Sequence, residues 1–156
     1  MDLVIDSAEW YERGLALRKA GLFKQAIEQF EKAAQDPTYA LKAHAQIGLC
    51  CKSSGRDEAA VLAFRKALQS PTSSTKETVQ ILYVLGRTLE SLGRTSETLE
   101  AYRWIRREDP GYRDVTQRLQ QLSSRRPIMS GRKSVPPQSW MKDMLRSWQS
   151  LFRISK

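Results

Sequence analysis

The chain has 156 residues, of which 40% are hydrophobic and 28% charged, with a net charge of +9; about 150 residues is the usual size of one compact domain, so a single domain with one appended segment is expected. No run approaches the roughly 18 apolar residues that cross a bilayer, and residues 1–10 carry Asp2, Asp6 and Glu9, where a secretory signal has a basic start and an apolar centre. One histidine, His44, and one adjacent cysteine pair, Cys50 and Cys51, leave no conventional zinc set and no disulfide framework. An enzyme is therefore disfavoured, no catalytic, metal-binding or cofactor-binding residue is assigned, and the cytoplasm is the expected compartment.

The first elements in the chain form an internal repeat. Gly14, Gly21, Ala26, Phe30, Ala33 and Pro37 return 34 residues later as Gly48, Gly55, Ala60, Phe64, Ala67 and Pro71. A third copy follows at a shift of 38, with Gly86, Gly93, Tyr102 and Pro110 at or within one residue of the same places; the polar stretch Thr72–Thr75 takes up the four extra residues. Fixed periods of this size belong to repeat architectures. Six of the eight glycines fall in two columns of this alignment, so glycine is placed by architecture and forms no phosphate-cradling loop.

Each copy reads as a helical hairpin. Trp10, Gly14 and Leu17 share one face of a first helix, Gly21 breaks it at a tight turn, and Ala26, Ile27, Phe30, Ala33 and Ala34 make the buried stripe of a second. Gly14 and Ala26 let the two helices approach, and Trp10 and Phe30 fill the remaining space. Asp36-Pro37 ends the second helix, because proline disfavours helical geometry in the residue before it.

The pattern Trp10, Gly14, Gly21, Ala26, Phe30, Ala33 with a proline at the end resembles the tetratricopeptide repeat family over residues 8–110. The third copy departs from it: Leu82 stands where the family favours Trp, and Thr98 and Ile105 where it favours Ala, which predicts a looser or differently packed last hairpin. The resemblance implies an all-α, right-handed helical-hairpin solenoid of three repeats. Such a stack needs a cap, and Tyr112, Val115, Leu119 and Leu122 share one face of a capping helix over 112–122. Residues 1–122 then form the solenoid, with seven helices.

The resemblance also implies a concave groove lined by the first helix of each hairpin, which takes extended peptides or helices. The matching positions include Tyr11, Glu12, Leu15, Arg18 and Lys19; Lys42, Ala45, Gln46, Leu49 and Lys52; and Gln80, Tyr83, Val84, Arg87 and Glu90. One subgroup of the family clamps the terminal carboxylate of chaperones with lysines, asparagines and an arginine; Tyr11, Leu15, Gln46, Gln80 and Val84 stand at those places here, so that clamp is absent. The expected partner is a protein segment with apolar anchors against Tyr11, Leu15, Leu49 and Tyr83 and acidic residues near Arg18, Lys52 and Arg87. His44 occupies the Trp10 column, which predicts a structural ring, and Cys50 and Cys51 read as small buried hydrophobes.

The charge lies mostly at the far end: residues 123–156 hold eight basic residues against one acid, whereas residues 1–122 hold 18 against 16. Residues 123–138, SSRRPIMSGRKSVPPQ, read as a flexible basic linker. Over 139–156 the pattern changes to a separate amphipathic helix, capped by Ser139, in which Trp140, Met144, Leu145, Trp148, Leu151 and Phe152 form an apolar stripe opposite basic residues. Three burials compete for that stripe: an anionic membrane surface, this solenoid or a second copy of it in a homo-oligomer, and a partner's groove. Nucleic acid is disfavoured, because the aromatic residues are not interleaved with the basic run as a stacking platform requires. The reading is a non-enzymatic protein-interaction adaptor whose last helix anchors or regulates it; the alternative is a membrane-peripheral assembly factor.

Overall fold

The computed structural model describes residues 5–71 and 73–125. Among them are seven helices and no strand: α1 (Ser7–Lys19), α2 (Phe23–Ala33), α3 (Pro37–Ser53), α4 (Asp57–Leu68), α5 (Thr75–Ser91), α6 (Thr95–Glu108) and α7 (Val115–Ser124). α1 pairs with α2, α3 with α4 and α5 with α6; each hairpin then packs on the next through α2–α3 and α4–α5, and α7 closes the stack on α6. This is the all-α hairpin solenoid expected from the repeat. The predicted linker over 123–138 falls almost wholly, and the amphipathic helix over 139–156 entirely, outside the described residues.

The turn inside each hairpin is the same structure made three times. Gly21, Gly55 and Gly93 adopt φ of 77°, 74° and 72°, the left-handed region that costs an L side chain energy. At Gly55 this conformation lets its own N–H reach Lys52 O at 3.1 Å and the N–H of Arg56 reach Cys51 O at 2.8 Å, which satisfies carbonyls that the helix end leaves free. No atom lies within 4 Å of a Cβ built there, so backbone conformation alone demands the glycine.

The second glycine column acts by close approach. A Cβ on Gly14 would stand 2.5 Å from Phe30 Cε1, one on Gly48 2.5 Å from Phe64 Cε1, and one on Gly86 2.5 Å from Tyr102 Cε1. The three rings are buried at 0–1% exposure, each seated in the notch that the missing side chain opens. Trp10 is less buried than the sequence pattern suggests. α1 has no hairpin before it among the described residues, so the ring is half-exposed, with Lys32 Nζ 4.2 Å and Arg13 Cζ 5.4 Å from its centroid.

The joints between hairpins depend on caps. Asp36 is extended (φ −86°, ψ 121°) and accepts a hydrogen bond from Thr38 N, with Pro37 as the first residue of α3. The pair that stops one hairpin therefore starts the next, using a proline whose missing N–H costs nothing at that position. The four-residue insertion is shorter as a loop than expected: Thr75 is already helical, and Thr72 lies outside the described residues. The reason is a capping box in which Ser74 Oγ accepts from Glu77 N and the Glu77 carboxylate accepts from Ser74 N at 2.9 Å. Ser74→Ala is expected to lower stability by about 1 kcal/mol, read from urea unfolding at unchanged m value.

The two unusual positions of the last hairpin are both buried. Thr98 and Ile105 are both 0% exposed, and Thr98 Oγ1 donates to Arg94 O at 2.9 Å, so the hydroxyl is satisfied within its own helix. The capping helix starts at Val115, three residues later than Tyr112. Arg113 has φ 45°, which ends any helix there, and Tyr112 packs from the preceding turn on Tyr83, centroids 5.6 Å apart.

Candidate binding groove

The first helices of the three hairpins, α1, α3 and α5, line a cavity of about 340 Å³ bounded by Tyr11, Leu41, Lys42, Ala45, Gln46, Glu77, Gln80 and Ile81. A second depression of about 330 Å³ is lined by Pro37, Thr38, Leu41, Lys42 and Glu77. They share Leu41, Lys42 and Glu77, so together they form one trough. Its position follows from the stacking: α1 touches α3 directly, whereas α3 and α5 barely meet.

Tyr11 stands at one end, its ring 5.6 Å from those of Phe30 and Tyr39 and its hydroxyl 3.4 Å from Gln46 Nε2. Gln46 Oε1 is buried with no hydrogen-bond partner among the described residues, an acceptor that folding alone does not satisfy. Lys42 and Glu77 put one charge of each sign on the shared rim.

Of the residues assigned from sequence, Tyr11, Lys42, Ala45, Gln46 and Gln80 come together on this cavity. Leu15 and Leu49 are partly buried against the core. Arg18 is half-buried with Nε unpartnered among the described residues, and Lys52 and Arg87 are exposed. Tyr83 requires correction as an apolar anchor. It is 7% exposed, its ring packs on Tyr102 and Tyr112, and its hydroxyl donates to Asp114 Oδ1 at 2.7 Å, so the turn before α7 covers the face a partner would use. Glu90 is likewise committed, accepting from Tyr102 Oη at 2.8 Å and from Arg118 Nη1 at 3.1 Å. Three lining residues escaped the sequence reading: Leu41, Glu77 and Ile81. The Ser74-x-x-Glu77 box marks Glu77 as first-turn and thus near the rim; Leu41 and Ile81 look like ordinary core positions.

His44 is half-buried on α3. Desolvation and then the Lys66 charge hold its pKa below the ordinary value of 6.5, while Glu31 pulls it the other way. The neutral ring is thus the folded form, and its contribution is complete above the unfolded pKa. As pH falls through 6.5 the unfolded chain takes up the proton first, so stability declines until the folded ring also titrates. His44→Gln is expected to flatten the fall in Tm between about pH 7 and 5; an unchanged slope would place the acid sensitivity elsewhere. Cys50 and Cys51 are free and buried, and burial pushes both thiols up, away from the reactive thiolate.

The family model of the tetratricopeptide repeat matches residues 10–35 and 41–71, the first two hairpins. A search of curated proteins finds no match to the chain. The third hairpin repeats the same glycine turn and the same glycine–ring contact. Repeats of this kind support a role in protein–protein interaction in general. The first two hairpins are thus tetratricopeptide repeats by that model, and the third is built on the same plan.

Proposed function

We propose that the chain is a non-enzymatic adaptor that binds a protein segment, extended or helical, along the α1–α3–α5 trough. The observation that carries this reading is the cavity beside Tyr11 together with the unpartnered Gln46 Oε1: an apolar-walled recess with an unsatisfied acceptor suits a peptide that offers a side chain and an N–H. Leu41, Ala45 and Ile81 supply the apolar walls. Arg18, Lys42, Lys52 and Arg87 favour acidic residues in the same segment. In this reading the stripe of Trp140, Met144, Leu145, Trp148, Leu151 and Phe152 anchors or regulates the complex.

Selection from a random-peptide display library against the full chain tests it. Enriched peptides should combine apolar residues with Asp or Glu, and should lose about tenfold in affinity, about 1.4 kcal/mol, on Gln46→Ala or Lys42→Glu. Peptides that bind both variants as well as the parent would place recognition elsewhere. Cosedimentation of the full chain with anionic vesicles, with and without Trp148→Glu, decides separately whether the tail stripe serves a membrane.

A further inference from the structure

Among the described residues, Arg113 is the non-glycine residue with a left-handed backbone, φ 45°. The turn that holds it is closed by hydrogen bonds from Tyr112 N to Asp109 O at 3.1 Å and from Val115 N to Tyr112 O at 3.3 Å. A non-glycine residue in that region is uncommon and costs conformational energy. This backbone places the Arg113 guanidinium 4.9 Å from the centroid of Tyr83 and 5.6 Å from that of Tyr112, within cation–π range of both.

Tyr83 makes a rigid base for it. Its hydroxyl is fixed by Asp114, which is itself held by Arg118 Nε at 2.8 Å. Arg87 approaches the same tyrosine from another side, with Nη1 3.5 Å from the hydroxyl. Two guanidinium groups therefore flank one tyrosine. Their neighbours do not neutralise them: Arg65 pairs with Glu97, Arg94 with Glu58 and Glu97, and Arg118 with Glu90 and Asp114, while Arg87 and Arg113 form no ion pair among the described residues. The carboxylates of Glu90 and Asp114 are taken by Tyr102, Tyr83 and Arg118. The positive field extends to α3, where partial desolvation and then the Arg87 charge hold Lys52 below the usual lysine range against the pull of Asp57.

We infer that Arg87 and Arg113, mounted on Tyr83, form an anion-anchoring corner at the α7 end of the groove, which takes acidic side chains of a protein segment. This rests on the groove reading above and extends it to a turn outside the repeats. One guanidinium meets the ring face and the other the hydroxyl edge, so the two do not converge on a single point. That arrangement suits two carboxylates spaced along a chain better than one phosphate, which is best held by convergent donors.

The test uses the full chain and three labelled probes: a peptide of alternating Glu and Leu, the same peptide with Gln for Glu, and a single-stranded oligonucleotide, followed by fluorescence anisotropy over a salt series. The Glu peptide should bind more tightly than the Gln peptide. Arg113→Gln should weaken the Glu peptide about tenfold and lower its salt dependence, with the Gln peptide unaffected and Tm unchanged. Arg103→Gln removes the same charge from an exposed site on α6 and should have little effect. Four outcomes overturn the inference: no preference for Glu over Gln, equal losses from Arg113→Gln and Arg103→Gln, an Arg113 dependence as large for the oligonucleotide, or a fall in Tm without a loss of binding, which makes Arg113 a clip for α7. Binding lost on Gln46→Ala but kept on Arg113→Gln would remove this corner and leave the groove reading standing.

Discussion

Phe64→Ala is expected to lower the unfolding free energy by about 3–5 kcal/mol, the cost of emptying an aromatic site that cannot collapse. The ring is 1% exposed and lies against the backbone of α3, where a Cβ on Gly48 would stand 2.5 Å from Cε1. Nothing else in the hairpin can fill that notch, because the glycine opposite has no side chain to extend. A loss of this size is a large fraction of the roughly 5–15 kcal/mol that stabilises a domain. The reciprocal change, Gly48→Ala, sets two effects against each other. Alanine gains about 1 kcal/mol of helix propensity, while forcing a buried ring aside costs about 1–3 kcal/mol; the ring is enclosed, so overpacking should win. Urea unfolding of the double-mutant cycle with Phe64→Leu checks the mechanism. The penalty for Gly48→Ala should shrink in the Phe64→Leu background, and strictly additive losses would show that the ring and α3 are not in contact.

Glu90→Ala is expected to cost about 2 kcal/mol, between the value of a surface pair and that of a fully buried one. Its carboxylate accepts from the Tyr102 hydroxyl at 2.8 Å and from Arg118 at 3.1 and 3.2 Å. The Arg118 and Glu90 side chains are 19% and 25% exposed, so solvent screens part of the charge left behind. Burial, then the hydrogen bond to Glu90, holds the Tyr102 phenol well above its ordinary range, and it remains a neutral donor at any working pH. Tyr102→Phe keeps the ring in the Gly86 notch and removes only the hydroxyl, at about 1 kcal/mol. In the Glu90→Ala background the same change should cost almost nothing. Because Arg118 belongs to α7, hydrogen exchange in Val115–Ser124 should accelerate on Glu90→Ala before the rest of the molecule responds. Uniform acceleration would mean that the cap is held by Val115, Leu119 and Leu122 alone.

The two glycine columns illustrate how much of this fold is legible in the chain. One column needs a conformation and the other a missing side chain, and both needs are local enough to appear as a period. The same period predicted the helical hairpins and the burial of Phe30 and Phe64, whereas the cap begins three residues later than its apolar spacing suggests. The period failed where a tertiary neighbour intervenes. Tyr83 lies on the groove face of α5 by position, yet Asp114 and Tyr112 of the following turn cover it. Leu41 and Ile81 look like core residues but also wall the trough, because α3 and α5 stand apart there. Thr98 and Ile105 predicted a looser or differently packed hairpin, and the structure buries both, with the Thr98 hydroxyl bonded to its own helix.

The sequence by itself determined the hairpin repeat, its glycine turns and its small-against-large contacts, since these depend on residues at fixed short spacings along one or two helices. Only the tertiary structure decided which groove positions stay open, how Tyr102, Glu90 and Arg118 join three helices, and that Arg87 and Arg113 flank one tyrosine. Those arrangements unite residues far apart in sequence, such as Tyr11 and Gln46, 35 positions apart, and their geometry is set by how each hairpin stacks on the next.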